Sequence, residues 1–253
     1  MSINVVVTGA AGGMGAASVR RLAKRGVNVL AVDRDAPLLG ALADSIGPSS
    51  SDVVTYVADV GDAQQVAALF EHVVDRWGGL DGVFNIAGIL GEFAPIAESS
   101  NEGFEEVIRV NLKSVWYTMK YALPHMVERG AGSIVNTGSY LAWHGCELLG
   151  PYNASKHALV GLTKTAALEY GRYNIRVNIV CPGSMETQMN LDTAAGFSPG
   201  DPEGGLRVLA QNAVTGRAAL PDEVAAVGVF LLLDAPVQMT GALVPVDGGY
   251  SAR

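Results

Sequence analysis

The sequence predicts a doubly wound α/β fold, on three observations. Seven short runs rich in β-branched residues recur along the 253 residues, at 3–8, 27–33, 53–58, 80–87, 133–137, 175–181 and 242–246. Most are apolar without a break, the pattern of strands covered on both faces of a parallel sheet. Helix-like stretches separate them, and strand alternating with helix builds a seven-stranded parallel sheet flanked by helices. A single domain over 1–253 is expected, because no linker, repeat or shift in composition divides the chain.

The elements follow in order. The first run feeds a glycine cluster and then a helix at 16–25, where Ala16, Val19, Leu22 and Ala23 share one face. A helix at 63–77 follows the third run, with Asp62 as N-cap and Gln65 three residues on, a capping-box pattern. The stretches 102–128 and 152–172 are the longest helical patterns. Pro221, Asp222 and Glu223 open a last helix to 233, since proline and acids favour a first turn. Glycines and prolines break the stretch 184–216, which reads as a lid or substrate loop.

Composition narrows the function. Hydrophobic residues make up 49% and charged residues 17%, which excludes a disordered chain. A net charge of −8 offers no pull on phosphate backbones, so no nucleic-acid partner is expected. Residues 1–19 carry no charge but several glycines, so neither a signal peptide nor a membrane span is read there. Two cysteines, Cys146 and Cys181, cannot form a disulfide framework and fit a reducing compartment, so a cytoplasmic location is expected. The four histidines show no ligand spacing, and no metal is expected.

Chemistry enters at the first strand-to-helix turn, Thr8-Gly9-Ala10-Ala11-Gly12-Gly13-Met14-Gly15. Glycines there allow a tight turn and let a pyrophosphate approach the backbone, while the helix N-terminus offers free N–H groups and a positive dipole end. Asp33 closes the second strand, where a dinucleotide fold puts the acid that binds the adenosine ribose. A carboxylate there repels a 2′-phosphate and favours NAD(H). Arg34, next in sequence, works against that preference.

The glycine turn resembles the Thr-Gly-x-x-x-Gly-x-Gly motif of short-chain dehydrogenases/reductases, and further motifs of that family appear in order. Asp59-Val60 is similar to its adenine-contacting pair. Asn85-Ile86-Ala87-Gly88 is similar to its strand-end Asn-Asn-Ala-Gly, with isoleucine in second place. Pro182-Gly183 follows the sixth strand, with Met185 beyond it. Thr187 lies where the family has a threonine near the nicotinamide. The resemblance covers nearly the whole chain. It implies a Rossmann domain with NAD(H) held by Gly9, Gly13, Met14, Gly15, Asp33, Asp59, Val60, Asn85, Ala87, Gly88, Pro182, Gly183, Met185 and Thr187.

Tyr152 and Lys156 stand four apart at a helix start and so share a face. Tyrosine titrates near ~10, and a cation beside it stabilises the phenolate. Ser139 ends the fifth strand, and strand C-termini converge on one crevice edge. Chemistry and resemblance together imply Tyr152 as proton donor and acceptor, and Ser139 as the hydrogen-bonding partner of the substrate oxygen. Lys156 then tunes the phenol and binds the nicotinamide ribose, and Asn111 holds a water linking Lys156 to solvent. A substrate pocket is expected from Leu90, Phe93, Leu141, Trp143, His144, Leu148, Leu149, Met189, Leu191 and Phe197, most of them apolar. The expected substrate is an uncharged hydrophobic secondary alcohol or ketone. Two alternatives stand beside it: 3-oxoacyl-(acyl-carrier-protein) reduction, and a non-catalytic dinucleotide-sensing regulator. The resemblance implies a homotetramer. Val107, Val110, Val115, Met119 and Leu123 on one long helix, with Leu159, Leu162, Ala166 and Leu168 on the other, read as its apolar surplus.

Overall fold

The computed structural model describes residues 2–47, 51–198, 200–211 and 213–252. The sheet strands are β1 (Asn4–Thr8), β2 (Asn28–Asp33), β3 (Val53–Val57), β4 (Gly82–Asn85), β5 (Gly132–Thr137), β6 (Ile175–Pro182) and β7 (Leu243–Val246). All pair in parallel in the order β3-β2-β1-β4-β5-β6-β7. The order reverses between β1 and β4, and the strand ends splay there into a crevice.

Helices cover both faces. On one side α3 (Ala63–Trp77), α5 (Ser114–Arg129) and α6 (Gly150–Tyr170) pack Phe70, Met119 and Leu159 against Val6, Val83 and Ile134. On the other, α1 (Gly13–Lys24), α2 (Ala36–Ile46) and α9 (Pro221–Leu233) pack Leu22, Leu39 and Leu231 against Val5, Phe84 and Val135. Alternate residues of each inner strand thus enter opposite cores, which is why those strands are mostly apolar.

The long helical pattern before β5 is not one regular helix. It divides into α4 (Asn101–Ile108), a π-helical turn at Arg109–Lys113, and α5. The Ser114 N–H donates to the carbonyl of Arg109, five residues back. Such turns concentrate at functional sites. The broken stretch after β6 contains two short helices, α7 (Gln188–Phe197) and α8 (Pro202–Gln211), with residues 199 and 212 outside the described set.

The apolar surplus assigned to subunit contacts is mostly spent inside the chain. Val107, Val110, Val115, Met119, Leu123, Leu159 and Ala166 are all buried, and Leu162 is half-buried against the same core. Only Leu168 of that set faces solvent, where Phe104 and Trp116 are also exposed. Sequence periodicity cannot tell a core-facing helix stripe from an intersubunit one.

A buried polar chain crosses the sheet beneath the crevice. The Thr118 hydroxyl donates to Asn85 Oδ1 (2.8 Å), Asn85 Nδ2 to Asn136 Oδ1 (2.9 Å), and Asn136 Nδ2 to Thr163 Oγ1 (2.9 Å). It ties β4 and β5 to α5 and α6. Replacing Asn136 strands the Asn85 amide and removes the donor to Thr163. Asn136→Ala should therefore cost about 2–4 kcal/mol in urea denaturation. A loss below about 0.5 kcal/mol, the range of neutral surface changes, would show that the chain does not brace the sheet.

Candidate active site

A cleft of about 330 Å³ runs along the C-terminal edge of the sheet, across the β1/β4 reversal. At one end Gly9, Gly13, Met14 and Gly15 line it. Gly9 has φ +64°, and a Cβ there would sit 2.7 Å from the Ala87 nitrogen. A Cβ on Gly15 would lie 2.0 Å from the Gly9 carbonyl oxygen. Close backbone approach dictates both glycines. Asp35, Asp62 and Ser100 cap α2, α3 and α4 with their side chains, whereas α1 follows Gly12 with no side-chain cap and no acid in its first turn, so nothing of its own occupies its start. Its first N–H groups open onto the cleft, a fitting receptor for a pyrophosphate.

Asp33 lines the same end, with Oδ2 accepting from Ala11 N (3.0 Å) and Oδ1 from Asp35 N (3.2 Å). Arg34 is beside it. Asp59 and Val60 form the outer corner. Ala87 and Gly88 form the floor, and Pro182, Gly183, Met185 and Thr187 the opposite wall. Two predicted residues stand behind the lining. Asn85 is buried in the polar chain described above. Asn111, in the π turn, accepts from Ile89 N (2.8 Å) and donates to Ile89 O (2.8 Å) and Ser155 Oγ (3.2 Å). A Cβ on Gly88 would come 3.3 Å from Asn111 Oδ1 and 3.8 Å from Lys156 Nζ, so the missing side chain leaves the space between floor and lysine. These residues fit a dinucleotide.

Ser139, Tyr152 and Lys156 converge mid-cleft, each nearly buried. Ser139 leaves β5 and accepts from Leu141 N (3.1 Å), which closes a short 3₁₀ turn at Tyr140–Ala142. Tyr152 sits in the first turn of α6. Lys156, one turn on, donates to the carbonyl of Thr137 (2.8 Å) with Nζ 5.5 Å from the Tyr152 ring centroid. Burial pushes the Tyr152 phenol up to about 12, with the Ser139 hydroxyl bond pulling the other way. Burial also brings the Lys156 ammonium down to about 8. The expected lowering of the phenol by its lysine does not appear here: burial is the largest influence on both groups, and it penalises each charge taken singly.

Of the expected substrate-pocket residues, Leu90, Leu141, Leu149, Met189 and Phe197 line the cleft. The other five do not. Phe93 stands behind Phe197, edge to face at 5.5 Å between ring centroids. Trp143 packs against the main core, and the His144 ring turns to Tyr250 at 5.5 Å. Leu148 takes φ +65° with its carbonyl bonded to Ala94 N, and Leu191 faces solvent. Ile86, Ile89, Tyr140 and Cys146 line the cleft unannounced. Ile86 stands inside the strand-end motif and the other three lie between or beside the recognised motifs, which is the one signal that marks them. Among the described residues no three His, Cys, Asp or Glu side chains are grouped to hold a metal, and no helix is long and apolar enough to cross a membrane.

Known proteins resemble the chain over nearly its whole length. A family profile described as enoyl-(acyl carrier protein) reductase matches residues 9–251. The chain is 36% identical to levodione reductase of Leifsonia aquatica, covering 98% of this chain and 94% of that one. It is 36% identical to cyclohexanol dehydrogenase of Acinetobacter sp. (strain SE19), with coverage of 98% and 94%. It is 35% identical to the 3-oxoacyl-[acyl-carrier-protein] reductase FabG of Thermotoga maritima, covering 96% of each. A crystal structure of levodione reductase superposes with a TM-score of 0.96 at 36% identity, over 99% of this chain and 98% of that one. NAD+-bound xylitol dehydrogenase gives 0.91 at 31%, over 98% of each chain. An actinorhodin polyketide ketoreductase variant with NADPH gives 0.92 at 33%, over 100% and 98%.

The bare start of α1 can be tested directly. A Cβ on Gly13 would lie 3.0 Å from Thr187 Cγ2, so a branched side chain there fills the mouth over the helix end. Gly13→Val should weaken NADH binding at least roughly tenfold, about 1.4 kcal/mol, in a fluorescence titration. Unchanged affinity would place the coenzyme elsewhere.

Proposed function

Because the chain belongs to the short-chain dehydrogenase/reductase family, we propose that it is an NAD(H)-dependent oxidoreductase interconverting a hydrophobic secondary alcohol and its ketone. The observation that carries this reading is the meeting of Ser139, Tyr152 and Lys156 in one buried patch of the cleft wall. The nicotinamide coenzyme would supply and receive the hydride. The protein's own residues then handle the proton and the substrate oxygen. In ketone reduction the neutral Tyr152 hydroxyl donates the proton, and in oxidation it takes it back. Ser139 orients the substrate oxygen by hydrogen bonding. Lys156 would favour the phenolate as it forms and would hold the nicotinamide ribose, while Asn111 keeps the π turn against Ile89 and Ser155.

Coenzyme choice rests on Asp33. Its carboxylate is fixed by Ala11 and Asp35 and faces the cleft, where it would accept from ribose hydroxyls and repel a 2′-phosphate. The substrate end is walled by Leu90, Leu141, Leu149, Met189 and Phe197, which suits an uncharged, compact apolar molecule. Two relatives named for levodione and cyclohexanol point to a cyclic one. Acyl-carrier-protein reduction has support in the similarity to FabG. Its docking would ask for free cations, yet Arg129 is paired to Asp81 (2.6 Å) and Arg172 lies over the Tyr173 ring (4.9 Å). A non-catalytic regulator would have no use for the three buried groups together. Exposed Phe104, Trp116 and Leu168 support a homotetramer, and the free thiols Cys146 and Cys181 suit the cytoplasm.

Tyr152→Phe removes only the proton donor. Turnover should fall by a factor on the order of 10²–10⁴ with NADH affinity nearly unchanged. Retention of more than a tenth of wild-type turnover, where chemistry limits the rate, would remove Tyr152 from that role.

Asp33→Ala should lose NAD efficiency and gain NADP efficiency. The wild-type preference for NAD should be at least about tenfold in kcat/KM, or ~1.4 kcal/mol, within reach of one charged hydrogen bond. Equal use of both coenzymes by the wild type would show that Asp33 does not set the choice.

A further inference from the structure

The outer corner of the cleft is held by an ion network that no motif announces. Arg109 opens the π turn. Its Nη1 donates to Asp59 Oδ2 (2.8 Å), while Nε and Nη2 grip Glu106 at 2.6 and 2.9 Å. Asp59 Oδ1 is held from the other side by the Gly61 N–H (2.8 Å). Both carboxylate oxygens of a cleft-lining residue are therefore fixed in orientation. Gly61 has the room for this only because it lacks a side chain: a Cβ there would lie 2.0 Å from Arg109 Nη1 and 3.1 Å from Asp59 Oδ1. The glycine, the arginine and its bracing glutamate form one fitted unit.

Little folding stability is at stake in it. The Arg109 and Asp59 side chains keep 30% and 35% of their accessible surface, and partly exposed pairs contribute about 0–1 kcal/mol. The guanidinium is shared between two carboxylates, so it offers no net charge to a phosphate. What the unit fixes is direction. A carboxylate at the mouth of a cleft, oriented by two donors, is a ready acceptor for an exocyclic amine.

We propose that Arg109 is a positioning residue for the coenzyme: braced by Glu106, it fixes the Asp59 carboxylate to receive the amino group of the adenine ring. The inference rests on the reading of the cleft as a dinucleotide site and extends it to a residue outside the family motifs found in the sequence. The π turn gives the arginine a second consequence. Asn111, two residues on, is anchored by Ile89 and Ser155 and not by Arg109. The adenine corner is thus adjustable without moving the catalytic end, so Arg109 acts on binding and leaves the rate of the chemical step alone.

The test uses the full chain with Arg109→Met, Asp59→Asn, the double variant and Arg109→Lys. Kd is measured by fluorescence titration with NADH and with NADPH, and KM and kcat with a turned-over cyclic ketone. Arg109→Met should weaken binding of the preferred coenzyme about tenfold, the loss of one charge-assisted contact. Saturating kcat should stay within about twofold, and the double variant should bind no worse than Asp59→Asn, because the arginine acts through that carboxylate. Arg109→Lys should recover part of the loss. Gly61→Ala pushes on the guanidinium without altering a charge and should raise Kd several-fold. It carries the test if Arg109→Met does not fold. Wild-type affinity in both Arg109→Met and Gly61→Ala, additive losses in the double variant, or a fall in kcat matching that in affinity would overturn the proposal. Wild-type protein that binds neither coenzyme would instead overturn the reading beneath it, and the proposal with it.

Discussion

The site depends on a lysine charge that has been taken out of water. Lys156 is 4% exposed, and its ammonium has the Thr137 carbonyl and the Tyr152 ring as its neighbours. An ammonium in that position is costly unless hydrogen-bonded and faced by groups that favour charge. The Thr137 carbonyl supplies one bond, and a ring face within about 6 Å adds a modest attraction. The same burial keeps Tyr152 neutral. A proton donor and a cation therefore sit side by side, each held from its ordinary titration range by the same dry environment.

The fold supplies that environment from several directions. Ending β5 at Thr137 puts a free carbonyl under the ammonium. Gly138 has to lack a side chain because Cys181 Sγ, at the end of β6, would lie 2.8 Å from its Cβ. Gly88 leaves room above. The π turn lets Asn111 reach both backbone groups of Ile89 while also meeting Ser155, which seats the β4 exit loop against α6. Below, the amide chain from Thr118 to Thr163 locks β4 to β5. The reacting edge is a set of strand ends whose relative heights are fixed by buried polar bonds as well as by apolar packing.

Much of this was legible in the sequence, because parallel strands and their exits leave local marks. Ser139, Tyr152 and Lys156 share a wall because a strand end and a helix start must meet at that edge; the spacing says little by itself, and its place after the fifth strand together with the family resemblance makes it readable. The glycine turn was legible for the same reason. The π turn was not: an extra residue in a helical turn has no composition signature, so Asn111 read as a residue within an ordinary helix. The Arg109–Asp59 pair spans fifty residues and is set by tertiary packing. The substrate wall was half legible. Trp143, His144 and Leu148 belong to a loop whose direction hangs on a left-handed residue at Leu148, and nothing local foretold it. The buried stripe of Val107, Val115 and Leu159 was misassigned because apolar periodicity reports a covered face without saying what covers it.

The charge of Lys156 is the centre of the account, and the pH profile of alcohol oxidation reads it most directly. Oxidation needs the phenolate form of Tyr152, and a cation beside the phenol favours that charged form. Removing the cation makes the phenolate harder to form, so the apparent pKa must move up. In Lys156→Met, measured at saturating coenzyme, the rising limb should shift to higher pH by at least about one unit relative to wild type. A profile with an unchanged apparent pKa would show that Lys156 does not act on Tyr152 through its charge, and the account of the site would fail at its core.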